Sequence, residues 1–82
     1  MKRAVLRISS SPEIERQAHD LVLRVWKSGQ STVQAALAVQ VRADAMGEPI
    51  PPLSLAQAYA ANVVARHQDA IYAARQQEAQ RA

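Results

Sequence analysis

The chain has no cysteine and no phenylalanine, and it carries two glycines, two tyrosines and one tryptophan. Without cysteine there is no disulfide framework, no thiolate metal site and no thiol nucleophile. Two isolated glycines, Gly29 and Gly47, cannot build a glycine-rich phosphate loop. No apolar run approaches the roughly 18 residues that cross a bilayer. The opening Met1-Lys2-Arg3-Ala4-Val5-Leu6-Arg7-Ile8 starts basic like a signal peptide, but Arg7 interrupts its apolar stretch and the serines at 9–11 end it. A cytoplasmic protein is the expectation.

Large apolar side chains are scarce as well. Alanine supplies 17 of the hydrophobic residues, while Val, Leu and Ile together number 18. The length, 82 residues, excludes a two-domain enzyme and a doubly wound sheet. So short and alanine-rich a chain has a thin core, which predicts a partner, in the first instance a second copy.

Net charge is +3. Residues 1–29 carry +3, residues 30–53 carry −1 and residues 54–82 carry +1. The first eight residues hold three bases and no acid. Such a patch suits a polyanion, although a merely solvated basic surface has the same composition.

Residues 2–8 alternate, with Ala4, Leu6 and Ile8 on one side and Arg3, Val5 and Arg7 on the other. Period two predicts a short strand with one covered face. A first helix is expected from Pro12 to about Ser28, capped by Ser11 and stopped at Gly29. Its apolar stripe is Ile14, Ala18, Leu21, Val22 and Val25. The capping box Ser31-Thr32-Val33-Gln34 opens a second helix that ends near Met46 at Gly47. Val33, Leu37 and Val41 form its main stripe. Residues 48–53 hold three prolines in four positions and read as a stiff linker. A third helix starts at Ser54 with a second capping box. Its stripe is Ala60, Val64, His67, Ile71 and Ala74, widened by Leu55, Tyr59 and Val63, and it frays beyond Ala74.

Catalysis is hard to build from these residues. His67 falls inside an apolar stripe, and His19 sits at helical spacing from Glu15. No metal-ligand spacing appears, and the serines at 9–11 lack a nearby base. The expectation is a non-enzyme without metal or cofactor.

The order basic alternating strand, capped helix, Gly-x-Ser turn, capped helix resembles the ribbon-helix-helix family of small DNA-binding proteins. The matching residues are Lys2 to Ile8 for the ribbon, Ser11-Pro12-Glu13-Ile14 for the first helix start, and Gly29-Gln30-Ser31 before the second. The resemblance spans residues 2–46. It implies a mainly α fold with a short N-terminal β-strand and three helices, forming an intertwined homodimer whose paired strands enter the major groove. Residues 1–47 would be the DNA-binding and dimerisation unit, residues 48–53 the linker, and residues 54–82 a helix for oligomer or partner contacts. Arg3, Val5 and Arg7 would face bases, while Lys2, Ser31 and Thr32 would hold phosphates. The implied function is a dimeric transcriptional regulator or antitoxin of plasmid or phage type, binding double-stranded DNA. The reading from another class is a small helical protein-interaction module, such as a mobile-element-encoded inhibitor of a host protein. Its partner contacts would be Trp26, Tyr59, His67, Ile71 and Tyr72.

Overall fold

Among the described residues there are three helices, α1 (Pro12–Lys27), α2 (Thr32–Ala45) and α3 (Leu53–Arg81); the first two follow the caps that the sequence supplies, whereas α3 begins one residue before Ser54, which lies inside the helix instead of capping it. The computed structural model describes residues 3–81. Ser11 accepts the Ile14 N–H and Ser31 accepts the Gln34 N–H, each satisfying a donor that the first helical turn leaves free. Both short helices end in the same device. Gly29 (φ +92°) and Gly47 (φ +71°) take the left-handed conformation. The N–H of Gln30 then returns to the Val25 carbonyl, and the N–H of Glu48 to the Ala43 carbonyl.

The N-terminal strand and the intertwined ribbon are not formed. Among the described residues none lies in a strand. Residues 3–11 instead run as an irregular segment across the chain's own helices. Asn62 of α3 donates from Nδ2 to the Ala4 carbonyl (2.8 Å) and accepts the Leu6 N–H at Oδ1 (3.1 Å). The Glu15 carboxylate accepts the N–H groups of Ile8 and Ser9. Side chains thus satisfy the backbone groups that a neighbouring strand would have paired. The alternation holds in part: Leu6 and Ile8 are partly buried against the core and Arg3, Val5 and Arg7 are exposed, but Ala4, expected on the covered side, is exposed as well.

The core is made of small residues. Ala18 and Val22 of α1, Ala35 and Val39 of α2, and Tyr59, Ala60, Val63 and Val64 of α3 form one cluster. Tyr59 is its largest fully buried side chain. Small side chains let helix axes approach closely, and α2 packs against both α1 and α3.

The α2 stripe expected to face inward faces out. Val33, Leu37 and Val41 are 44%, 40% and 69% exposed, while Ala35, Ala36, Val39 and Ala43 are buried. This helix is apolar on both faces, so periodicity locates two stripes without ranking them. Contact with two neighbours at once selects the alanine face.

The first half of α3 belongs to the core, and the rest projects past it. Trp26, in the last turn of α1, meets His67 edge to face at 5.9 Å, which fixes the level of the α1–α2 turn on α3. Beyond His67, residues 68–81 are all exposed, and the helix continues to Arg81 where fraying past Ala74 was expected. The molecule measures 50 × 26 × 20 Å as a result. Gln40 donates from Nε2 to the Pro51 carbonyl at 2.9 Å and ties the proline-rich linker to α2.

Candidate functional site

Three arginines from three different elements line one open cleft of about 300 Å³. They are Arg7 of the N-terminal segment, Arg16 of α1 and Arg66 of α3, joined there by Val5, His19 and Glu15. The fold brings them together through the contacts just described. Asn62 and Glu15 hold the segment on the helices, so Arg7 is carried to α1 and α3. Arg66 donates from Nε to Asn62 Oδ1 at 2.9 Å, which fixes the stem of its guanidinium beside the segment. Tyr59 closes the bottom of the cleft and donates its hydroxyl to the Glu15 carbonyl at 3.3 Å.

The cleft carries excess positive charge. Among the described residues no carboxylate lies within ion-pair distance of Arg7, Arg16 or Arg66; Arg3 pairs with Asp69, and His19 Nδ1 lies 3.6 Å from Asp20. The one lining acid, Glu15, already accepts two backbone N–H groups. Burial, reinforced by the nearby Glu15 carboxylate, pushes the Tyr59 phenol well above its ordinary value. Tyr59 is therefore a neutral hydrogen-bond donor at any ordinary pH.

The sequence-derived site residues fall in several places. Arg7 lines the cleft and Val5 is 62% exposed beside it. Arg3 is held at 3.0 Å by Asp69 on α3, so its charge is already answered within the chain. Lys2 lies outside the described residues. Ser31 uses its hydroxyl to cap α2, and Thr32 is half-buried next to it. Trp26 and His67 are half-buried against each other, and Tyr59 is fully buried, so it is a core residue. Ile71 and Tyr72 are exposed on the projecting part of α3. His19 sits at 3.6 Å from Asp20 rather than pairing with Glu15.

Sequence reasoning missed Arg16 and Arg66. Each is a lone base on a helix surface, and only the fold places them beside Arg7. A second cleft, about 260 Å³, lies between the N-terminal segment and the proline-rich linker. Its walls are mainly apolar, and its one base, Arg42, is matched by one acid, Glu48. Among the described residues no group of three His, Asp or Glu side chains is placed to hold a metal, and no helix is long and apolar enough to cross a membrane.

No protein-family model, curated protein or solved structure matches this chain.

Proposed function

We propose that this protein binds double-stranded DNA through its phosphate backbone, with Arg7, Arg16 and Arg66 as the contacting residues, and that it acts as a small DNA-binding regulator. The observation that supports this reading is one open cleft lined by three guanidinium groups and one acid, Glu15, with no carboxylate of the described residues within ion-pair distance of the three arginines. Guanidinium forks match phosphate oxygens with two hydrogen bonds at once. An open, shallow shape suits a continuous polyanion better than a small enclosed anion. The expected binding is tolerant of sequence, because phosphate contacts position a protein without reading bases.

The test is fluorescence anisotropy with a duplex of mixed sequence across a salt series. Each phosphate contact releases about 0.9 counterion, so each arginine contributes about five-fold in affinity near 0.15 M salt. The double variant Arg7→Ala/Arg16→Ala is expected to weaken binding about 30-fold and to flatten the log–log salt slope by about 2. Both side chains are exposed, so the fold is retained. An unchanged affinity and slope in that variant would sink the reading.

The second reading, a helical protein-interaction module, is favoured by a different observation. The projecting part of α3 shows Ile71 and Tyr72 to solvent, the latter 66% exposed. An exposed aromatic on a polar helix is a typical interface anchor. Under this reading, a stoichiometric protein partner recovered by pull-down is lost on Tyr72→Ala and kept in the arginine variant. Recovery unaffected by Tyr72→Ala would count against it.

A further inference from the structure

Among the described side chains that line the arginine cleft, His19 alone belongs to the type whose charge changes between about pH 5 and 8. The other titratable lining groups are Arg7, Arg16, Arg66, Glu15 and Tyr59. His19 is placed there by α1. It follows Arg16 by three positions and Glu15 by four, the spacings that set side chains next to one another on one helix face. Its side chain is 39% exposed, so both a proton from solvent and a phosphate oxygen can reach the ring.

Every element that borders the cleft brings a charge to bear on this imidazole. The N-terminal segment brings Arg7. From α1 come Arg16, Glu15 and, at 3.6 Å from Nδ1, Asp20. From α3 come Arg66 and the neutral phenol of Tyr59, and no described lining residue belongs to α2. The two carboxylates favour the imidazolium and the three guanidinium groups oppose it. An anion seated in the cleft changes one side of that balance. It screens the arginines from the ring and adds its own negative charge, and both effects favour the proton. The sign of the coupling is therefore fixed, whichever local charge dominates in the free chain.

We infer that His19 is a fourth contact of the cleft, made only when its ring is protonated, so that acidification tightens the binding of a polyanion. This rests on the DNA-binding reading above and adds its proton dependence. Neutral, the ring has a single N–H donor and no charge; protonated, it offers a second donor and a full positive charge to a phosphate oxygen. One more phosphate contact releases about 0.9 counterion, which near 0.15 M salt amounts to about five-fold in affinity. By linkage, the polyanion holds the proton on His19 more tightly by the same factor. His67, the second histidine, packs on Trp26 away from the residues that line this cleft and takes no part.

Fluorescence anisotropy with the full chain and a mixed-sequence duplex tests this at about pH 5.5 and about pH 8. The wild type is expected to bind about five-fold more tightly at the acidic end, with a log–log salt slope steeper by about 0.9. His19→Gln keeps a polar side chain but cannot take up a proton, and it is expected to lose the difference between the two ends. His67→Gln is expected to retain it, and circular dichroism checks that both variants are folded. A readout that needs no variant is the NMR titration of the His19 ring. Its midpoint is expected to rise by about 0.7 of a pH unit when the duplex is added, which is the five-fold factor as a logarithm. An unmoved midpoint, or arginine-dependent binding of equal strength at both ends, would overturn the inference and leave the DNA reading standing. A pH response that survives in His19→Gln would overturn it as well. Duplex binding that is absent at both ends, or indifferent to the Arg7→Ala/Arg16→Ala pair, removes the DNA reading first and this one with it.

Discussion

Asn62 and Ala4 are 58 positions apart and joined by a 2.8 Å hydrogen bond from the Asn62 Nδ2 to the Ala4 carbonyl. The same carboxamide accepts the Leu6 N–H, so one side chain serves as the donor and acceptor of an absent neighbouring strand. It also accepts from Arg66 and thereby couples the segment to the arginine cleft. Asn62→Ala is expected to destabilise the fold by about 1–3 kcal/mol, since it strands a half-buried N–H. Urea denaturation measures the loss. A larger rise in hydrogen exchange at the Leu6 amide than at the α2 amides locates it.

Gly29 and Gly47 end their helices at positive φ, and a Cβ at either position would meet nothing within 4 Å. Alanine there meets backbone strain without steric conflict. Gly29→Ala and Gly47→Ala are each expected to lower stability by about 1–2 kcal/mol. Gly29 precedes α2 and Gly47 follows it, at opposite ends of that helix, so the two effects are expected to add in the double variant. Thermal denaturation of the singles and the double checks both statements.

The two faces of α2 answer differently to substitution. Ala36 is fully buried, so Ala36→Leu overpacks the core and is expected to cost about 1–3 kcal/mol. Leu37→Ala, one residue away, leaves the core untouched. It is expected to change stability by no more than about 0.5 kcal/mol. Chemical denaturation of the pair reads the orientation of α2 directly, and a reversed order of effects would show the stripe to be inward.

Tyr59 ties stability to alkaline pH. Its phenol ionises at higher pH in the folded chain than in the unfolded one, chiefly because of burial. The folded state therefore holds the proton more tightly. That stabilisation is fully present below the unfolded value, about 10, and is lost as pH rises above it. Melting temperature is expected to be flat with respect to this group up to about pH 10 and to fall above that. Tyr59→Phe, which gives up the hydrogen bond to the Glu15 carbonyl, is expected to start about 1 kcal/mol lower and to show a weaker alkaline decline.

Local chemistry was readable from the residues themselves. Ser11 before Pro12, Ser31 three before Gln34, and glycines at 29 and 47 mark helix ends because each satisfies or releases particular backbone groups wherever the chain goes. The α1 stripe was readable in part: Ala18 and Val22 are buried and Val25 packs against the core, but so does Leu23, which the stripe left out. The alternation at residues 2–8 was real, but its meaning depended on what lay alongside. A pattern of period two records that one side is covered and does not record by what.

The sequence by itself determined three helices, two of them with their serine caps, a small-residue core, a basic N-terminal segment and a stiff turn into the last helix. Those properties rest on interactions between residues a few positions apart. Only the tertiary structure decided that the N-terminal segment lies on its own helices, that α2 turns its alanines inward, and that Arg7, Arg16 and Arg66 share a cleft. Each of those outcomes is a competition between distant surfaces. Asn62 offers hydrogen bonds to the segment from the far end of the chain, and α2 chooses between two apolar faces only when α1 and α3 are both present.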